Sequence, residues 1–303
     1  VEIATADALE HATRGEIVVV PGLLADVGFH SIVTELFLSE IAALTVPSLA
    51  DELRRVGLAR LHDHLDPPVV ATLLGRLDRR AAELAVPIAT ALVSAMTSEP
   101  RPSYFICSRV WIRAQVPYGR LADYPELLAA PHLAGHLRPT LPHRDVSLTH
   151  PRGSISIWSA IGPVRTENTI ALFPTYERPS RTLPDDELWR RPPHPLLTPE
   201  LDPGDVLLFD ADRLHASVPN QTDETRVAIG SRVLVGRRLR YGPGPHWRAF
   251  YDSRFLGTRL ERFATVRSTL TVAAWRRRRA ARRWARAGLV PGDDRDRDSA
   301  IAR

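Results

Sequence analysis

Two histidines, an aspartate and an arginine stand at spacings that fit metal chemistry. His143-Arg144-Asp145 is an H-x-D triplet, and His215 comes 70 residues after the aspartate, at the end of DVLLFDADRLH. Two imidazoles and one carboxylate can occupy one face of a metal ion and leave the opposite face open. That suits non-haem Fe(II), which needs free positions for O2 and a co-substrate. On an extended chain, alternation points His143 and Asp145 to one side and Arg144 to the other. Arg226 follows His215 by eleven residues, across VPNQTDET. A guanidinium there can hold a carboxylate by a two-pronged, charge-assisted hydrogen bond. A metal beside such an arginine is what 2-oxoglutarate needs, with its 2-oxo-acid end on the ion and its far carboxylate on Arg226. Each element alone is a weak signal, because H-x-D triplets and single histidines after strands are common. Their order, spacing and β context act together.

Strands must carry these residues. β-type runs are expected at Val146–Leu148, Ser154–Ile161, Thr169–Phe173, Val206–Phe209 and Arg226–Val235, separated by turns such as Asp202-Pro-Gly204-Asp205. SYFICSRVWIRAQVP, from Ser103, also alternates, with Arg109, Trp111 and Arg113 on one side. EIVVVPGLL at 16–24 reads as a short strand ended by Pro21-Gly22. Such spacing suggests a sandwich or a barrel-like jelly roll. Between 28 and 97 the apolar residues recur at helical spacing, which predicts three or four helices punctuated by Pro47, Pro67-Pro68 and Pro87. Residues 176–200 read as a long Pro-rich loop, 246–290 as Arg-rich helices and 291–303 as a disordered tail. The expectation is one domain over 1–290, with helical support at 28–97 and a jelly-roll core at 104–236. The fold class is mainly β with flanking helices, around a double-stranded β-helix (jelly roll, cupin-like) core.

Composition narrows the class. The chain has 303 residues, 44% hydrophobic and 25% charged, which excludes wholesale disorder and collagen. Its longest nearly uncharged apolar stretch, Leu84 to Met96, is too short to span a bilayer. The start lacks a signal-peptide pattern, and Met96 is the only methionine, so Val1 is not expected to be the natural start. The single cysteine, Cys107, excludes a Cys-based zinc site and an internal disulfide, and fits a reducing cytoplasm. All 40 basic residues are arginines, a bias that points to a GC-rich bacterial genome. Seven of them lie in WRRRRAARRWARA at 275–287, and without these the chain is mildly acidic. A general nucleic-acid surface would not be so localised, so no nucleic-acid partner is expected.

With these residues in view, the sequence resembles the Fe(II)/2-oxoglutarate-dependent oxygenases, in particular the phytanoyl-CoA dioxygenase-like branch. The likeness runs through the early strand, the HRD at 143–145, WSAIGPVRTENTIALFPTYE at 158–177, and LDPGDVLLFDADRLHASVPNQTDETR at 201–226. It implies His143, Asp145 and His215 on iron and Arg226 on 2-oxoglutarate. Ser217 matches a position that helps hold the same carboxylate, and Arg113 one that is often basic, with Arg109 as its rival. The implied reaction consumes O2 and 2-oxoglutarate, releases succinate and CO2, and hydroxylates or otherwise oxidises a substrate C–H. Asp145 argues against halogenation, since a related halogenase lacks that carboxylate. The family's Gly after Glu-Asn is Thr169 here, and its P-G-S-H is Pro174-Thr175-Tyr176-Glu177, so the segment lining the substrate mouth has changed.

The expected substrate is a small molecule of bacterial secondary metabolism, sugar- or aminoglycoside-like or amino-acid-derived. Two rivals stand beside this reading: a cupin-like metal enzyme without 2-oxoglutarate, and a non-catalytic binding protein on the same fold. Blander roles are expected elsewhere. His132 and His136 read as surface or lid residues, His62 and His64 as solvated, and His150, close to the H-x-D, as a turn residue with facing the pocket as the alternative. Asp210 and Asp212 read as caps of the turn before His215. Trp158, Phe173 and Trp111 read as core, and the 276–286 arginines as a solvated helix face.

Overall fold

The computed structural model describes residues 4–97, 104–107, 109–125, 128, 137–148, 150–173, 196–235 and 251–254. Most of the Pro-rich segment, the 275–287 arginines, His132, His136 and residues 291–303 lie outside these.

The helices form one layer. They are α1 (Ala8–Thr13), α2 (Leu23–Asp26), α3 (Phe29–Leu44), α4 (Pro47–Val56), α5 (Leu61–His64) and α6 (Pro67–Ala95). Pro47 and Pro67 sit in the first turns of their helices, where a missing N–H costs nothing. Pro87 behaves differently from expectation: it lies inside the 29-residue α6 and is exposed. Leu77, Ala81, Ala85, Ile88, Ala89, Leu92 and Val93 carry one buried stripe past it. Continuous packing on the inner face outweighs the lost backbone bond on the outer one.

Glu40 of α3 is buried, paired with Arg76 and Arg80 of α6. Glu40→Ala would leave both guanidiniums without their acid, though each is partly solvated. The expected loss is about 2 kcal/mol in urea denaturation; a loss below about 0.5 kcal/mol would mean that water replaces the pair.

The major sheet is antiparallel throughout, in the order β1 (Val18–Val20), β6 (Val206–Asp210), β4 (Ser154–Ala160), β8 (Arg226–Val235), β2 (Tyr104–Cys107), β9 (Tyr251–Arg254). β3 (Trp111–Gln115) shares the β2 edge of β8, pairing Trp111 with Gly230 and Gln115 with Arg226. A minor sheet joins β5 (Ile170–Leu172) to β7 (His215–Ser217). Alternation sorts the faces. Ile155, Ile157, Val206, Leu208, Val227, Ile229 and Val233 pack on the helices in one core. Trp158, Ala160, Leu207, Phe209 and Ala228 pack on Ile170 and Leu172 of the minor sheet.

Four sequence expectations change. Among the described residues helix outweighs strand, 45% against 23%, so these form a mixed helix and antiparallel-sheet architecture rather than a mainly β one. Val146–Leu148 is not a strand: Asp145–Leu148 forms a helical turn, α7, because so short an apolar run carries no decisive period. Residues 251–254, expected helical, pair with β2 as β9. The end of the expected long loop is also structured, since Leu197 bridges Leu172 and Leu201 bridges Val164. No helix among the described residues is long and apolar enough to cross a membrane.

Candidate metal centre

His143 and His215 meet across an antiparallel bridge. His143 N–H donates to the His215 carbonyl at 2.9 Å, and His215 N–H to the His143 carbonyl at 3.0 Å. Directly opposed residues in such a pair project to the same face, and their rings lie 4.3 Å apart between centroids. Asp145 arrives differently. It opens α7, so the H-x-D triplet is not an extended strand, and Arg144 turns to the carbonyl of Asp212. The helical turn still brings its carboxylate to the two imidazoles. Potential ligand atoms of His143, Asp145 and His215 all lie within 4.8 Å of one another.

The hydrogen bonds fix which atoms converge. His143 Nδ1 donates to the Leu141 carbonyl at 2.7 Å, and His215 Nδ1 to the Arg213 carbonyl at 2.9 Å. A carbonyl only accepts, so the proton sits on Nδ1 and the lone pair on Nε2. The two Nε2 atoms are 3.7 Å and 3.8 Å from Asp145 Oδ1. Donors held ~2.1 Å from one ion sit roughly 3.0–4.2 Å apart, so the residues present fit a metal. Asp145 Oδ2 is engaged elsewhere, accepting from Ser156 Oγ at 2.7 Å and Arg232 Nε at 2.8 Å.

Electrostatics keep Asp145 and His215 in their ligating forms. Burial alone would raise the Asp145 pKa, but the Arg232 charge and then His143 overcome it and hold the carboxyl well below its usual range. Burial, aided by the His143 charge, pushes His215 down to about 3. His150 also falls to about 3, by burial that Asp145 only partly offsets. Both stay neutral in the folded metal-free protein while the unfolded chain takes up protons below pH 6.5. Stability present at pH 7 is therefore lost as pH falls from 6.5 towards 3, at up to about 1.4 kcal/mol per pH unit for each imidazole. Urea denaturation of metal-free protein at pH 7 and pH 5 checks this; equal stabilities would contradict it.

Arg226 opens β8 and is fully buried. Its Nη1 donates to the carbonyls of Asn168 (2.6 Å) and Thr169 (2.9 Å), while Nε has no partner. It forms no ion pair among the described residues. Burial and the nearby Arg113 charge lower its pKa to about 9, which leaves it cationic at pH 7. Its Cζ lies 5.4 Å from the Trp158 ring centroid. An orphaned buried donor on a cation is what an incoming carboxylate would satisfy. Ser217, two residues after His215, shares its hydroxyl with Thr140 at 2.8 Å and with Gln115 at 3.4 Å. Arg113 is opposite Ala228, which puts it on the sheet face of Arg226. Arg109 instead meets Asp78 and lies over Trp111.

Other readings divide. Asp210 accepts from the Asp212 N–H, as a turn cap would. Trp158 and Phe173 are buried in apolar clusters. His62 is not solvated: it is buried and bonded to Thr225 Oγ1 at 2.8 Å. His150 is buried against Trp111, closer to the pocket-facing alternative than to an exposed turn. Arg232 and Ser156 were missed, although strand alternation puts Arg232 on the Arg226 face and Ser156 on the Trp158 face.

Residues 126–228 match the family described as phytanoyl-CoA dioxygenase (PhyH), a span that holds His143, Asp145, His215, Ser217 and Arg226. The match spans about a third of the chain and assigns that segment to the phytanoyl-CoA dioxygenase type, which supports an enzyme of that kind. No curated protein matches the chain. Among solved structures it is similar to the non-haem α-ketoglutarate-dependent epimerase SnoN from nogalamycin biosynthesis, at 19% identity over 75% of this chain and 82% of that one, with TM-score 0.35. It is similar also to the non-haem monooxygenase ThoJ, at 15% identity over 93% and 100%, TM-score 0.40. A third is AviO1 from Streptomyces viridochromogenes Tue57, at 15% identity over 80% and 100%, TM-score 0.40. At such scores none of these likenesses carries the assignment, which rests on the matched domain and the triad.

Proposed function

We propose that the chain is an Fe(II)- and 2-oxoglutarate-dependent oxygenase that hydroxylates or otherwise oxidises a C–H of a small molecule in bacterial secondary metabolism. Sugar- or aminoglycoside-like and amino-acid-derived compounds are the substrate classes in view. His143 Nε2, Asp145 Oδ1 and His215 Nε2 would hold the iron. When bound, iron and 2-oxoglutarate supply O2 activation coupled to loss of CO2 and formation of succinate. Arg226 would dock the far carboxylate of 2-oxoglutarate through its unpartnered Nε edge, with Ser217 and Arg113 as further contacts. The backbone acceptors on the two Nδ1 atoms keep both rings oriented and their lone pairs inward. In this reading the two sheets are the halves of a double-stranded β-helix, and the helices, which share a core with the major sheet, belong to the same domain.

The observation that carries the reading is the convergence of the three donor atoms, with a buried cation lacking an acid on the same side of the major sheet. A cupin-like enzyme without 2-oxoglutarate would have no use for Arg226 in this state, and a binding protein none for Nε2 atoms aimed at one carboxylate oxygen. Anaerobic addition of Fe(II) and 2-oxoglutarate is expected to give a weak visible band near ~500 nm, from chelation at a two-histidine, one-carboxylate iron. Protein that binds Fe(II) stoichiometrically but shows no such band would refute the co-substrate assignment.

A further inference from the structure

β8 carries a second guanidinium, Arg232, six residues after Arg226 and on the same face. Arg232 Nε reaches Asp145 Oδ2, and its Cζ lies 4.7 Å from the Trp111 ring centroid. Its side chain is 14% exposed. Trp111 stands opposite Gly230 on β8, and a Cβ at that glycine would come within 3.1 Å of Arg232 Nη1. The glycine therefore leaves room for the guanidinium beside the indole. Ser156 is directly opposite Arg232 on β4, and its hydroxyl donates to the same Oδ2. Two donors from neighbouring strands thus hold one carboxylate oxygen, and the other faces the two Nε2 atoms.

We propose that Arg232, seated on Trp111 and assisted by Ser156, is the positioning residue that presents Asp145 to the metal through a single oxygen. The inference rests on the metal-centre reading above. A carboxylate without these donors is free to rotate and to chelate through both oxygens, which takes one more coordination position than a single-oxygen ligand. Holding Oδ2 keeps that position for the co-substrate or O2. The geometry uses a planar guanidinium that lies on an indole while donating from its edge; a lysine ammonium reproduces only the charge.

Co(II) titration, read by the visible spectrum of the bound ion, tests this without turnover. The wild type is expected to bind Co(II). Arg232→Met should weaken binding about 10- to 100-fold and alter the spectrum, as loss of an outer support of a ligand does. Arg232→Lys should fail to restore the spectrum. Circular dichroism of each metal-free variant shows whether it folds. If Arg232→Met does not fold, Ser156→Ala carries the test, with weaker Co(II) binding and a spectral change expected. Wild-type affinity and spectrum in whichever variant carries the test, or full restoration by lysine, would overturn the proposal. A wild type that binds no Co(II), or whose binding survives His215→Ala, would overturn the metal-centre reading and this proposal with it.

Discussion

His215→Ala is expected to lower metal affinity on the order of a thousandfold and to take any turnover below detection, because it removes one of three converging donors. The magnitude follows from sharing the folding-coupled affinity of a structural metal site among its few ligands. His150 is the control. It is equally buried and its ionisation is coupled to Asp145, yet it is not in the donor set. His150→Gln should keep metal affinity within about threefold, since His150 supplies no atom to the donor set. Calorimetric titration with Fe(II) or Mn(II) separates the two histidines. Equal losses in both variants would mean that charge and packing, not ligation, govern this pocket.

Arg226→Ala is expected to raise the dissociation constant for 2-oxoglutarate about a hundredfold while metal affinity stays within about twofold. Two hydrogen bonds to a charged partner contribute about 3 kcal/mol, which converts to that factor. The variant also strands the Asn168 and Thr169 carbonyls that Arg226 now serves, so it will be less stable than wild type. Arg226→Lys restores charge but not the fork, and is expected to recover only part of the affinity. Equilibrium binding of 2-oxoglutarate to the Mn(II)-loaded protein reads both variants. A parallel loss of metal and co-substrate binding would make Arg226 a structural cation.

What could be read from the sequence was mostly strand bounded by marked turns, including the short β1, β5 and β6. Arg226–Val235 was expected as a strand and is β8, and Ser154–Ile161 differs from β4 by one residue. Both are long alternating runs with marked turns. Val146–Leu148 is short and apolar, and it is helical; only the contacts of Asp145 decide that. Pro87 reads as a break because propensity is local, while the buried stripe that carries α6 through it is not. Of the centre, His143, Asp145, His215 and Arg226 were legible because ligand chemistry restricts residue type. Arg232 and Ser156 support a ligand rather than the ion, and many residue types can do that. His62 was misjudged because burial of a lone histidine depends on which distant segment covers it.

β8 also acts as a ruler. Arg226 and Arg232 mark off six residues, roughly 20 Å of strand, between the proposed co-substrate anchor and the brace of Asp145. The even count keeps both on the site face, with Val227 and Ile229 turned to the helices. Inserting or deleting one residue between them would swing one guanidinium into that aliphatic layer and bring an aliphatic chain out in its place. Lineages of this protein should accordingly accumulate substitutions along β8 but not changes in its length.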